Sequence, residues 1–233
     1  MHRLAVLAIA SSLVPLAADA KCARTELVPK LLTTRDRNLP ADGGVLVGYE
    51  NQVYDQSGPH TTGDPSEAAW VGKSGKGKVA LARTSLAPGL SVYKPAGSGA
   101  ITIENGAGAT VGTFTRDPKA AKNTMTAPVA IDVALSVDKN PRWSSRHVNV
   151  HLKAAPPAAA AAVVVYSGDT AISFVTLPDT HDALTTFDAF VDGGHCGSVP
   201  DGGRPPTKGE KVTFAWVDAF GRLSPKSAPV AAT

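Results

Sequence analysis

The side chain with the clearest chemical potential is the thiol of Cys196, which lies in the string Gly-His-Cys-Gly-Ser at 194–198. A thiolate works as a nucleophile when a nearby base takes its proton and donors stabilise the developing oxyanion. The base would have to come from a distant histidine, and the candidates are His60, His147 and His181. A glycine-rich loop that holds one half of a disulfide is the simpler interpretation, because a disulfide consumes the nucleophile.

A second candidate is a metal site near two histidines of the C-terminal half, His181 and His195. Asp179 and Asp182 flank the first histidine, and Cys196 follows the second. Metal sites draw their ligands from segments of recognisable spacing, and the fragment Asp-x-His-Asp has no defined second half. Solvated loop side chains are therefore the competing interpretation.

His147 and His151 form a His-x-x-x-His pair that would share one face of a helix. However, valine and leucine alternate with polar residues from 147 to 152, and this period of two predicts a strand. At a rise of about 3.3 Å per residue the two imidazoles lie about 13 Å apart, too far to share one ion. The alternation therefore predicts that His147, Asn149 and His151 form the polar face of a sheet.

Residues 1–20 have the features of a secretory signal peptide. A short basic start precedes an apolar run from Leu4 to Leu16, and small residues at Ala18 and Ala20 suit cleavage after Ala20. The apolar run is shorter than the roughly 20 residues that span a bilayer, although a retained anchor is the alternative. We expect a mature protein that is secreted or periplasmic and has no membrane span.

Export determines how the two cysteines of the chain, Cys22 and Cys196, are interpreted. In an oxidising compartment two cysteines of one chain most simply form a disulfide with each other. A Cys22–Cys196 bond would join the mature N-terminus to the C-terminal half. Two free thiols and a disulfide-linked dimer are the alternatives.

The composition of the 233-residue chain limits its partners and cofactors. The net charge is +3 without a dense basic run, so no nucleic-acid partner is expected. The phosphate-loop and dinucleotide fingerprints are incomplete, because Glu67 and Val111 stand where they require glycine. We therefore expect no cofactor, which leaves a protein or glycan of unknown identity as the partner.

Most segments that would position these residues have the sequence pattern of β-strands. Apolar and polar side chains alternate over 131–137, 148–152 and 212–216, which predicts strands with one buried face and places Trp216 in the core. Further strands are expected at 44–49, 78–83, 100–104, 109–115, 161–166, 171–177 and 186–191. Many short strands divided by Gly- and Pro-rich turns predict an all-β sandwich or barrel.

An aperiodic stretch from 117 to 128, which ends in proline, divides the chain into halves of similar length. Each half is long enough for one sandwich domain. We expect a first domain at 21–120, a linker at 121–128 and a second domain at 129–233. The halves show no clear sequence repeat, and a single larger sandwich is the alternative.

Residues 211–231 carry a family resemblance. An alternating strand runs here into the turn Asp-x-x-Gly-x-x-Ser-Pro and then into a final strand; the turn residues are Asp218, Gly221, Ser224 and Pro225. This segment resembles the last hairpin of bacterial fibronectin type III and related immunoglobulin-like domains. The resemblance implies two immunoglobulin-like antiparallel β-sandwich domains in tandem. It implies no activity, because such folds host many unrelated functions.

These observations predict an exported, non-enzymatic β-sandwich protein with a binding, adhesion or structural role in the bacterial envelope or outside the cell. The alternative is a secreted hydrolase that uses Cys196 as nucleophile or a metal site near His181 and His195. A count of free thiols separates the two, because a disulfide-bonded Cys196 is not a resting nucleophile.

Overall fold

The structure of the protein, a computed structural model, describes residues 25–33, 38–53, 70–75, 77–97, 99–104, 108, 110–117, 119, 123–139, 144–192 and 203–233. The signal peptide at 1–20 lies outside these residues, as do Cys22, His60, His195 and Cys196. What the sequence predicts for them therefore stays a prediction.

The described residues form an all-β structure, and none of them is helical. Valine, isoleucine and threonine recur in the strands, where branching at Cβ suits an extended backbone. The strands are β1 (Thr25–Leu31), β2 (Asn38–Pro40), β3 (Val45–Val53), β4 (Val71–Ser74), β5 (Gly77–Val79), β6 (Leu81–Ala87), β7 (Leu90–Pro95), β8 (Ala100–Glu104), β9 (Thr110–Asp117), β10 (Ala130–Lys139), β11 (Ser144–Leu152), β12 (Ala160–Ser167), β13 (Thr170–Thr176), β14 (Thr186–Asp192), β15 (Lys211–Asp218) and β16 (Val230–Ala231).

The strands form four sheets. Sheet A has the order β1-β3-β7-β6 and sheet B the order β2-β9-β8-β4-β5; sheet C has the order β10-β11-β14 and sheet D the order β13-β12-β15-β16. Neighbouring strands are antiparallel, except that β2 runs parallel to β9. The sheets confirm the predicted all-β class and are consistent with a β-sandwich.

Most strands lie where the alternation of side chains predicts them. β8 occupies the predicted 100–104, whereas the strand expected at 78–83 is two strands, β5 and β6, which meet at Ala80. The pattern does not predict β7. Five of its six residues are buried, including the polar Ser91, so polar and apolar positions do not alternate there.

Three clusters of buried apolar side chains hold the sheets together. The first joins sheets A and B through side chains such as Val47 and Ile103, and the second joins sheets C and D through side chains such as Val150 and Phe214. The third joins sheet A to sheet D, and its buried members are Leu46, Ala87, Leu90, Ala162, Val164, Tyr166, Ala215 and Val217. The sheets therefore stack in the order B, A, D, C.

The central strands of sheets A and D, such as β7, β12 and β15, are buried on both faces because they lie inside this stack, whereas the edge strand β6 is mostly exposed. In β3, Val45 and Val47 pack toward sheet B, whereas Leu46 between them packs toward sheet D. In β15, Trp216 lies in the core, as predicted, and packs toward sheet C, whereas Val217 packs toward sheet A. β12 carries the continuous apolar run that a strand covered on both faces needs.

The turn after β15 attaches sheet D to the first half of the chain. The Asp218 carboxylate accepts hydrogen bonds from the backbone N–H groups of Phe220 and Arg222, each at 2.9 Å, and from Arg222 Nε at 2.7 Å. The Phe220 carbonyl in turn accepts the N–H of Gly44 at 2.9 Å. The aspartate of the Asp-x-x-Gly motif thus shapes a turn that contacts the segment just before β3.

Two serines after this turn complete the hydrogen bonding of β15. The Ser224 hydroxyl oxygen accepts the N–H of Trp216 at 2.9 Å, and the Ser224 N–H donates to the Trp216 carbonyl at 2.9 Å. Ser227 binds both backbone groups of Phe214 in the same way, at 2.9 and 2.8 Å. The neighbouring prolines have no N–H to offer, so the serines provide the contacts that keep this segment along β15.

The apolar face predicted for β10 is only partly buried. Val133 is fully buried and Leu135 packs against the core, but Ile131 and Val137 are 62% and 52% exposed. The register with β11 shifts at Ile131, where a β-bulge interrupts the ladder. Val137 lies near the end of the strand and is not covered. The expectation of one continuous buried face was therefore wrong at both ends.

Alanine at Gly221 tests the contact between the turn after β15 and sheet A. Gly221 has a φ of +74°, and a Cβ there would lie 2.6 Å from Cγ2 of Val92 in β7. Gly209 has a φ of +83° but no atoms within 4 Å, so Gly209→Ala measures the backbone strain alone. We expect Gly221→Ala to lower the free energy of unfolding in urea by about 2 kcal/mol more than Gly209→Ala. Equal losses would contradict the packing of this turn on sheet A.

Candidate functional site

The outer face of sheet C carries polar side chains on three adjacent strands. Val148 and Val150 of β11 are buried, so the alternation directs the residues between and beside them to the outer face, which confirms the predicted polar face. We call this group the His–Asp face; it consists of Asp132 and Ser136 of β10, His147, Asn149 and His151 of β11, and Thr186 and Asp188 of β14.

The first row of the His–Asp face runs from Ser136 through His147 to Asp188. Nδ1 of His147 lies 2.6 Å from Oδ2 of Asp188. An ionised carboxylate only accepts hydrogen bonds, so Nδ1 donates in this contact. Ser136 lies opposite His147 in the ladder, on the strand away from Asp188.

A β-bulge sets the position of Asp188 in this row. The register between β11 and β14 shifts between His147 and Asn149. At the shift the Val148 N–H donates to Oδ1 of Asp188 at 2.9 Å, where a regular ladder would offer a backbone carbonyl. The carboxylate is thus held by the backbone at one oxygen and by the imidazole at the other.

The second row runs from Asp132 on β10 through His151 to Thr186 on β14. In this row the carboxylate lies on β10 and the hydroxyl on β14, which reverses the arrangement of the first row. Nδ1 of His151 lies 2.8 Å from Oδ1 of Asp132, and Thr186 lies opposite His151 on β14. These two paired side chains are 46% and 49% exposed, whereas His147 and Asp188 are both 25% exposed. The first row is therefore better shielded from solvent.

Asn149 lies between the two rows at the centre of the face. Its Nδ2 donates a hydrogen bond of 3.4 Å to Oγ of Ser136. The imidazoles of His147 and His151 are four residues apart on one strand, about 13 Å, so one ion does not bridge them. Within the described ranges, no three His, Cys, Asp or Glu side chains form a group that could hold a metal ion. The imidazole, carboxylate, amide and hydroxyl groups of the face can donate and accept hydrogen bonds.

His181, a candidate metal ligand, is buried away from this face between two loops. Its Nδ1 lies 2.7 Å from the carbonyl oxygen of Pro178, and its Nε2 lies 2.9 Å from that of Pro157. A metal ligand needs a ring nitrogen directed at the ion, and both nitrogens here are directed at backbone oxygens. Asp179 and Asp182 are exposed beside it. This geometry counts against His181 as a ligand.

The other candidate residues named from the sequence lie outside the described part of the chain. They are His195 and Cys196, together with Cys22, the expected disulfide partner of Cys196. The disulfide and the nucleophile hypothesis both remain predictions.

The residues that accompany the histidines were not identified from the sequence as site residues. Strand alternation indicates that Ser136 and Asp132 share a face, and the same pattern applies to Asp188. Which residue faces which histidine depends on the register of strands far apart in the chain and on the bulge in β14. Alternation reveals a polar face, but it does not reveal these pairs.

Glu210 binds several groups near the start of the described segment 203–233. Arg204 donates to its two carboxylate oxygens at 2.7 and 3.0 Å, and the Thr207 N–H donates to one of them at 2.8 Å. The Ser167 hydroxyl donates to the other. The Arg204 guanidinium, followed by the Ser167 hydroxyl, lowers the pKa of Glu210 far below its ordinary value.

The lowered pKa of Glu210 predicts a loss of stability in acid. The ionised carboxylate stabilises the fold fully above its unfolded pKa of about 4.3, and this contribution is lost as pH falls below that value toward the folded pKa. Glu210→Gln removes the titrating group, so we expect it to be less stable than the wild type at neutral pH and the difference to shrink below about pH 4. Urea unfolding over a pH series measures this, and a difference that is constant with pH would contradict it.

The chain matches no protein-family model, and no curated protein matches it. In the part of the chain that the structure describes, no helix is long and apolar enough to cross a membrane.

Proposed function

We propose that the protein is an exported, non-enzymatic β-sandwich protein with a binding, adhesion or structural role in the bacterial envelope or outside the cell. Its recognition surface is the His–Asp face. The observation that carries this proposal is the pairing of both histidines with carboxylates on one outer face, at 2.6 and 2.8 Å. Side chains held by such pairs lose less freedom when a partner binds, which favours affinity.

The stacking order of the sheets supports this choice of surface. The central strands of sheets A and D pack against a neighbouring sheet on both faces, which favours an outer face, that of sheet C, as the recognition surface. The face on sheet C offers imidazole, carboxylate, amide and hydroxyl groups within three strands. Such groups suit a polar partner, either a glycan or a hydrophilic protein surface.

The tandem immunoglobulin-like architecture is part of this proposal, with domains at 21–120 and 129–233 and a linker at 121–128. The strands before residue 118 supply sheets A and B, and those after 129 supply sheets C and D, which supports the division. The hydrogen bonds of Asp218 and Ser224 give the fibronectin-like turn motif a structural purpose. The core shared by sheets A and D makes the two domains neighbours with extensive contact.

Binding to an envelope fraction tests the recognition surface. We expect residues 21–233 to sediment with washed envelopes of the organism that encodes the protein. The double variant His147→Gln/His151→Gln loses the imidazoles but retains amide groups, and we expect its affinity to fall about tenfold, which corresponds to about 1.4 kcal/mol.

The matched control for this experiment lies on the outer face of sheet B. Thr102 and Thr113 are hydrogen-bonded there through their hydroxyls at 3.1 Å, and Thr102→Ala/Thr113→Ala should bind as the wild type does. Equal binding by the two double variants, or no sedimentation of the wild type, would contradict the proposal.

The state of the cysteines tests export and the competing hydrolase. We expect expression of the full chain in a Gram-negative host to give a periplasmic product that begins at Lys21 and has no thiol that reacts under denaturing, non-reducing conditions. A cytoplasmic product that retains Met1 would refute export. A reactive thiol at Cys196 would instead support the secreted hydrolase.

A further inference from the structure

The second row of the His–Asp face has acceptors that suit a pair of neighbouring hydroxyl groups. We infer that Asp132 and His151 bind a vicinal diol of an uncharged glycan, with Thr186 beside them as a further contact. The inference rests on the proposed function, because it takes the His–Asp face as the recognition surface. It goes further by naming the class of partner and the side chains that contact it.

The two rows differ in how much hydrogen-bonding capacity the protein itself uses. In the first row both carboxylate oxygens of Asp188 already accept a hydrogen bond, Oδ1 from the Val148 N–H at 2.9 Å and Oδ2 from Nδ1 of His147 at 2.6 Å. In the second row the paired side chains make one contact among the described residues, from Nδ1 of His151 to Oδ1 of Asp132 at 2.8 Å. The second row therefore has acceptor atoms to spare for a partner.

The second row is also open to a partner. The side chains of His151 and Asp132 are nearly half exposed, and Thr186, opposite His151 on β14, is exposed as well. The three residues lie on three adjacent strands, and neighbouring strands of a sheet are about 4.8 Å apart. The row is therefore about 10 Å wide, a span that places all three side chains against one small polar ligand.

The hydrogen-bonding roles in this row favour hydroxyl donors. Nδ1 of His151 donates to the carboxylate, which only accepts, so Nε2 of the neutral imidazole is an acceptor. Oδ2 of Asp132 is a second acceptor in the same pair. Two hydroxyls on adjacent carbons can each donate to one of these atoms, and a hydrogen bond to an ionised carboxylate is stronger than a neutral one. Sugar rings carry hydroxyls in such neighbouring pairs, whereas serine, threonine and tyrosine side chains carry one each.

The charge of the face favours a glycan without acidic groups. The His–Asp face contains two carboxylates, those of Asp132 and Asp188, and its remaining members are histidine, serine, threonine and asparagine. Like charges placed against each other across an interface cost affinity. A polymer that carries phosphate or carboxylate groups is therefore a poor partner for this surface, and an uncharged chain of hydroxyl-bearing sugars is a better one.

Chemical treatment of washed envelopes tests the inference at about pH 8, where an ordinary imidazole is neutral. Periodate cleaves the carbon–carbon bond of a vicinal diol and oxidises both carbons to aldehydes. Borohydride then reduces the aldehydes, so that they do not react with lysines. We expect the mature chain to sediment with untreated and with proteinase-digested envelopes, but not with envelopes treated with periodate and borohydride.

Asp132→Asn is the sharpest variant for the same assay. The amide keeps one oxygen that can accept from Nδ1 of His151 and replaces the other oxygen with an NH2 donor. We expect its affinity for untreated envelopes to fall on the order of tenfold, as expected for loss of a hydrogen bond to a charged group. Asp132 is half exposed, so the variant should unfold at the same urea concentration as the wild type. Thr102→Ala/Thr113→Ala is again the control and should bind as the wild type does.

The outcomes separate this inference from the proposed function. Binding that survives periodate would overturn the inference, as would wild-type affinity in Asp132→Asn. If binding depends on the His–Asp face but is lost only after proteinase digestion, the partner is a protein and only this inference is wrong. If both treatments abolish binding, the Asp132→Asn affinity decides. If the wild type does not sediment with untreated envelopes, the proposed function itself is wrong.

Discussion

The buried ion pair between Asp218 and Arg222 is the interaction on which the joined architecture depends. Their side chains are only 5% and 12% exposed, and Arg222 also reaches Oδ1 of Asp42 at 3.4 Å. Breaking a buried pair is costly because the remaining charge stays in a poorly solvated place. The carboxylate holds the turn in which Ala219 accepts the Thr33 hydroxyl. Through that turn, sheet D is attached to sheet A by specific hydrogen bonds as well as by apolar contact.

The stack of four sheets also limits where function can reside. A strand covered on both faces has no side for charged or titratable groups, because these lose hydration when buried. β12 therefore carries alanine, valine and tyrosine without a charge, and β15 confines its charged residues, Lys211 and Asp218, to its two ends. Paired imidazoles and carboxylates occur instead on the outer face of sheet C, where one side of each strand meets solvent.

The sequence alone predicts most of the strands, their approximate limits and the polar face of β11, but it does not predict β1, β2, β4, β7 or β16. Alternation works for β11 because Val148 and Val150 meet a core on one side only. It fails for β7, where Leu90 and Val92 on one face and Ser91 and Tyr93 on the other face are all buried. A strand inside a stack has no solvent side, so its sequence loses the period of two. The contact between sheets A and D was not predicted for the same reason.

The periodicity of the sequence predicts which face the histidines occupy, but the carboxylate that pairs with each histidine depends on the register between strands. Asp188 follows His147 by 41 residues, and nothing local determines that β14 rather than another strand lies beside β11. The bulge adds a second constraint, since it directs the Val148 N–H to Asp188 rather than to a backbone carbonyl. A regular ladder would have used that N–H within the sheet and left the carboxylate without this anchor. The pairing of His147 with Asp188 is therefore a product of an irregularity in the backbone, which the pattern of side chains does not encode.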